Sequence, residues 1–216
     1  VHSNKEFIQK AFQSLYKAFG PQHWWPADGP FEVMVGAILT QNTNWKNVEK
    51  AITALKSEGV LEPGKLLEIP QDKLAILIKP AGYFNIKAKR LKEFVKNFCM
   101  KWNCSIEKMK AEPLEKLRSC LLQIKGIGPE TADSILLYAL QKPVFVVDAY
   151  TKRILSRHGV VDNSTDYQSI QQIFQESLPR DHKLYNEYHA LIVRVGKTFC
   201  RKKPLCERCP LRIFLP

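Results

Sequence analysis

The chain of 216 residues lacks any apolar run of about 18 residues, which excludes a membrane-spanning helix. It also lacks a low-complexity tail, and VHSNKEFIQKAF does not have the layout of a signal peptide. These absences lead us to expect a soluble intracellular protein. Strand-like patterning is almost missing. VFVV, residues 144–147, is the single such run and is too isolated to seed a sheet. Acidic residues are also scarce beside basic ones: 21 Asp+Glu against 33 Lys+Arg leave a formal charge of +12. That imbalance favours a polyanionic partner, nucleic acid first, although composition alone suits a basic protein with no such partner equally well.

What is present is helical periodicity. EFIQKAFQSLYKAF sets Phe7, Ile8, Phe12, Leu15 and Phe19 along one stripe, and FEVMVGAILTQ is apolar almost all round, as in a helix at the centre of a bundle. NVEKAITALKSEG and NIKAKRLKEFVKNFCMKW are amphipathic with basic outer faces, and DYQSIQQIFQESL and LYNEYHALIVRVGKTFC extend the pattern. The expected fold class is all-α with about ten helices.

The six cysteines form two groups. Cys99, Cys104 and Cys120 are scattered among apolar helical segments and read as reduced thiols. Cys200, Cys206 and Cys209 crowd into ten residues, which in an intracellular chain points to metal rather than disulfides.

Two short stretches carry chemistry. In QIKGIGPETADSILLYAL, Gly126 and Gly128 allow a tight turn and close approach of backbone N–H groups, and Pro129 suits the first position of a following helix. Such a helix start favours an anion. Glu130 suits a first helical turn as well, because it complements the dipole. In VFVVDAYTKRI, Asp148 ends the apolar stretch and precedes a helix, the place of an N-cap.

Taken in order, FEVMVGAILTQNT, KPAGYFNIKAKRL, KGIG between two helices, VVDAYTKRI and KKPLCERCPL resemble the endonuclease III-like, helix-hairpin-helix DNA glycosylases of base excision repair. The resemblance spans most of the chain and is closest to the 3-methyladenine DNA glycosylase subgroup. It implies a bilobal all-α fold: a six-helix barrel over residues 28–140, and a second helical lobe from residues 1–27 plus 141–216. It implies a monomer acting on double-stranded DNA, with the damaged base flipped out of the stack for chemistry at its glycosidic bond.

By the same resemblance the catalytic aspartate falls on Asp148, where the carboxylate would face the positive charge that develops on the sugar. Bifunctional members carry a lysine two residues after the Gly-x-Gly turn, and its amine forms a Schiff base with the sugar. Here that position holds Glu130, which implies hydrolysis without strand cleavage. WWP, followed by an aromatic after LTQNT, is similar to the base pocket of the 3-methyladenine subgroup. Trp24, Trp25 and Trp45, with Glu130, would then surround a cationic alkylated purine. Equally, Trp24 and Trp25 suit the packing of the first helix. Gln41 matches the residue that fills the vacated space and Tyr83 the wedge on the opposite strand, unless both are ordinary loop residues. Lys125, Gly126, Gly128 and Lys202 are expected at DNA phosphates.

The cysteine loop resembles the family's iron–sulfur loop, with a first spacer one residue short and Leu215 in place of the fourth cysteine. A [4Fe-4S] cluster on Cys200, Cys206 and Cys209 is the expectation, structural rather than needed for hydrolysis. Zinc on the same thiolates with His189, or free thiols, are the other readings. Two functional alternatives stay open at this point. One is a glycosylase/lyase for oxidised pyrimidines using Lys125. The other is a non-catalytic DNA-binding module, against which Asp148 speaks.

Overall fold

The structure, a computed structural model, describes residues 3–215. Among them are twelve α-helices with a few short 3₁₀ and π-helical turns, and no helix is long and apolar enough to cross a membrane. Contacts divide the chain into two compact helical units, one from Ala27 to Leu140 and the other from the described residues up to Pro26 with those from Gln141 onward.

The discontinuous unit begins with α1 (Asn4–Phe19), where Ser3 accepts from Glu6 N–H and the buried Phe7, Ile8, Ala11 and Leu15 follow along one stripe. The continuous unit contains α2 (Pro30–Leu39), α3 (Trp45–Ser57), α4 (Pro63–Glu68), α5 (Gln71–Leu77), α6 (Phe84–Trp102), α7 (Ile106–Ala111), α8 (Leu114–Leu122) and α9 (Pro129–Ser134). Helix α2 is buried without interruption from Val33 to Leu39, so its all-round apolar pattern reflects a central place in this unit. Helix α6 packs against α2, α4, α5 and α7 through Leu91, Phe94, Val95, Phe98 and Trp102. Full burial of such a side chain contributes about 1.5–3 kcal/mol, so this stripe is a large cohesive term of the unit.

The discontinuous unit resumes with residues 144–147, extended and buried but paired with no strand. Side chains of α11 (Tyr167–Ser177), which follows α10 (Ala149–Arg157), satisfy its backbone. Phe145 N–H donates to Gln175 Oε1 at 3.1 Å, and Gln171 Nε2 donates to the Phe145 carbonyl at 2.6 Å. Buried backbone groups need partners, and glutamines provide them where a sheet is absent. The Phe145 ring stacks on Phe174 with centroids 3.9 Å apart. Helix α12 (His182–Thr198) closes the unit, its Tyr188 hydroxyl donating to the Ile8 carbonyl of α1 at 2.9 Å.

Cys99 and Cys104, read from sequence as reduced thiols, are joined by a disulfide. The chain leaves α6 through two left-handed residues, Asn103 and Cys104, and this reversal brings the second sulfur back to the last turn of the helix. Cys120 is a free thiol.

Candidate active site

In the continuous unit the turn between α8 and α9 is set by Gly126, at φ +90°, a conformation side-chain-bearing residues rarely adopt. Ile124 and Ile127 are buried under it, Gly128 caps α9, and Pro129 takes the first helical position. Lys125 and Glu130 are exposed. The two helices are tied by Arg118, whose Nε and Nη2 donate to the two oxygens of the fully buried Asp133 at 2.8 and 3.1 Å. A bidentate pair of this kind holds geometry as well as charge.

Gln41 lies against this turn. Its amide nitrogen donates to the Gly126 carbonyl at 3.0 Å and to Thr131 Oγ1 at 2.9 Å, while its amide oxygen accepts from Arg90 Nη1. Arg90 packs so closely on Gly126 that a methyl group there would collide with it. Tyr83, at φ +46° and 67 % exposed, precedes α6. Trp45 opens α3, with its indole N–H donating to Glu49 at 2.7 Å.

In the discontinuous unit Asp148 is the N-cap of α10. Its Oδ1 accepts from Thr151 N–H at 2.7 Å and from Thr151 Oγ1 at 2.8 Å. The other oxygen, Oδ2, is 3.7 Å from Nε2 of His189, and the Asp148 side chain is 11 % exposed. Burial pushes His189 below its ordinary pKa, and Lys197 acts in the same direction against the pull of Asp148. Burial therefore favours the neutral imidazole, and the Asp148 carboxylate beside it lies in a setting poor in water. Such a carboxylate is one a positive charge would find strongly stabilising.

Trp24 and Trp25 meet edge to face with centroids 5.5 Å apart, and Lys197 Nζ lies 5.8 Å from the Trp24 ring centroid. That distance is within cation–π range, so this indole already carries a cation of its own chain. Lys202 is exposed, and its carbonyl accepts from Arg157 at 3.3 Å.

The metal expectation is overturned. Among the described residues no group of three or more His, Cys, Asp or Glu side chains is placed to hold a metal ion. Cys200, Cys206 and Cys209 line one recess with Ile154, Val195, Phe199, Leu211 and Leu215, yet they do not converge as ligands. Arg157 Nη1 donates to Cys200 Sγ at 3.2 Å, and burial pushes the Cys209 thiol up, away from the thiolate that ligation needs. His189 faces Asp148 rather than supplying a ligand, so the zinc reading goes with the [4Fe-4S] cluster.

Three partnerships went unread in the sequence: in the continuous unit those of Lys87, buried and bonded to the Leu39 and Ala81 carbonyls, and of Arg90; in the discontinuous unit that of His189 with Asp148. For Lys87 the signal was present, since it falls on the same stripe of α6 as Leu91, Phe94 and Phe98. For Arg90 there was none, because its partners Gln41 and Gly126 lie dozens of residues away.

Comparison with known proteins gives the family. Residues 35–180 match the HhH-GPD superfamily base excision DNA repair proteins. A Methanocaldococcus jannaschii protein described as a DNA repair glycosylase is 52% identical over 210 residues, covering 97% of this chain and 96% of that one. Thermotoga maritima endonuclease III is 29% identical over 206 residues, 95% of this chain and 90% of its own. A crystal structure of H. pylori 3-methyladenine DNA glycosylase bound to 1,N6-ethenoadenine superposes with a TM-score of 0.78 at 33% identity, covering 91% of this chain and 98% of that one.

Proposed function

This chain belongs to the HhH-GPD superfamily of base excision DNA repair proteins, and on that footing we propose that it is a glycosylase that hydrolyses the bond to a damaged base and leaves the strand intact. Action on damaged bases in double-stranded DNA comes with the family. The absence of strand cleavage, the preferred base and the residue roles are our reading, as is a six-helix barrel in the continuous unit.

Asp148 acts as the electrostatic and basic group. With Oδ1 held by Thr151, the carboxylate is fixed before substrate arrives and needs no reorganisation as the glycosidic bond breaks. The base departs with the bonding electron pair, positive charge grows on the sugar, and water adds at C1′ while its proton passes to the carboxylate. The products are a free base and an abasic sugar with a hydroxyl at C1′.

One observation carries the case against lyase chemistry: Glu130 stands where the bifunctional members carry their amine, on the first turn of α9. A carboxylate forms no Schiff base. Lys87 does not substitute for it, being buried and bonded to two backbone carbonyls. An alkylated purine is the base we favour, because a 3-methyladenine DNA glycosylase superposes on this chain at 33% identity and a cationic base suits indole rings such as those of Trp24 and Trp25.

A second reading, a glycosylase/lyase for oxidised pyrimidines, has its own support. Similarity to endonuclease III spans nearly the whole chain, and Lys125 is exposed on the hairpin.

The test is base release from methylated duplex DNA, with strand breaks scored before and after hot alkali and borohydride added to trap any imine. Breaks only after alkali, and no trapped adduct, are expected. Asp148→Asn should lower base release by about 100-fold or more while the protein still folds and binds DNA, since asparagine caps a helix as well as aspartate does. Breaks without alkali, with a trapped adduct, would establish the lyase reading. Near-normal release by Asp148→Asn would remove the carboxylate from the mechanism.

A further inference from the structure

Helix α6 opens its buried stripe with a lysine. Lys87 is 1% exposed, and its ammonium reaches the ends of α2 and of the 3₁₀ turn Lys79–Ala81. Its ammonium donates to two carbonyls, Leu39 O and Ala81 O, each at 2.8 Å. Burying an ammonium is costly, and a methionine would fill similar space without that cost. What an apolar residue cannot do is bind two carbonyls at once.

The position of those carbonyls in the chain gives the contact its meaning. Leu39 is the last residue of α2 and stands two residues before Gln41; Ala81 ends its turn and stands two residues before Tyr83. One nitrogen atom thus ties together the bases of the two loops that present Gln41 and Tyr83. Both carbonyls lie at helical C-terminal ends, where a cation is favoured. One turn further along α6, Arg90 holds the Gln41 amide oxygen, so the same helix sets both the backbone and the side chain of that loop.

We propose that Lys87 is a positioning residue: it fixes the spacing of the Gln41 and Tyr83 loops so that the two side chains enter the duplex together, one into the vacated space and one on the opposite strand. This rests on the reading of Gln41 and Tyr83 as duplex-opening residues. Lys87 touches no DNA in this scheme, and its loss acts on opening rather than on attraction to phosphate.

The experiment uses a duplex carrying 2-aminopurine opposite an abasic analogue. Fluorescence reports opening, and anisotropy on an undamaged duplex reports ordinary binding. Lys87→Met is expected to bind undamaged duplex within about twofold of wild type, yet to open the reporter about tenfold more slowly. If Lys87→Met melts at the assay temperature, Lys87→Ala with added propylammonium replaces it. Restoration of opening with amine concentration, and not with propanol, supports the proposal. Opening at the wild-type rate by a folded variant overturns it. So does a loss of opening and of undamaged-duplex binding in equal proportion, which is what a merely structural role produces. A wild type that opens no reporter removes the reading of Gln41 and Tyr83 and the proposal with it. Wild-type opening with unchanged opening in the variants removes the proposal alone.

Discussion

At Lys87 the fold holds an ammonium against two carbonyls, and burial, with Arg90 nearby, pulls its pKa from 10.5 to about 8. Because the folded pKa lies below the unfolded one, the unfolded chain binds more protons between about pH 8 and about pH 10.5, and stability from this residue rises with pH across that window. The full change amounts to roughly 3 kcal/mol. The neutral amine keeps enough N–H donors for both carbonyls, so deprotonation relieves the desolvation cost without breaking the contact. Urea unfolding of wild type and Lys87→Met at about pH 7 and about pH 10 should show wild type gaining on the variant at the higher pH. A gap that does not move would mean that Lys87 carries no buried-charge penalty. Asp148 illustrates how far a single residue is legible. An aspartate between an apolar stretch and an amphipathic helix announces an N-cap, and it caps α10. That a buried imidazole stands 3.7 Å from its second oxygen was not legible, because His189 is 41 residues further along the chain.

Between elements, close approach decides what a substitution does. Gly196 sits inside α12, where alanine normally stabilises a helix by about 1 kcal/mol. Here the Tyr150 ring of α10 occupies the space a methyl group would take, and Arg153 of the same helix donates to the Gly196 carbonyl at 3.0 Å. Overpacking costs about 1–3 kcal/mol and outweighs the propensity gain. Gly196→Ala should therefore destabilise in urea and slow base release, since α10 carries Asp148 at its start; a more stable variant would show that α10 and α12 separate freely. The long helices were readable because three or more turns of apolar spacing leave little ambiguity. Helices α4, α5 and α7, six or seven residues each, were not read, since two turns carry no clear period. Residues 144–147 looked like a strand and are extended, but the glutamines that satisfy them come from α11 and gave no local sign.

For the whole molecule the excess of 33 basic over 21 acidic residues is a statement about attraction to a polyanion. If six or more phosphates are neutralised, affinity for undamaged duplex should fall about a thousandfold between about 50 and about 200 mM salt. Fluorescence anisotropy across that range checks it. A fall of less than about tenfold would mean that most of these charges stay solvated and take no part in binding. Family membership was legible at this scale because it resides in an ordered series of short motifs along the chain, each of which survives as local sequence.

By itself the sequence determined the helical class, the basic character and the family, since periodicity, charge and motif order are all properties of neighbouring residues. Only the tertiary structure decided how the cysteines are used, which lysine is buried and what holds Gln41. Cysteine spacing suggested a cluster, but ligation depends on where sulfur atoms point, and at Cys200 an arginine is bonded to the sulfur instead. Gln41 is held by Arg90, Gly126 and Thr131, between 49 and 90 residues away. Such partnerships exist only once packed helices have brought distant segments together, and no local pattern records them.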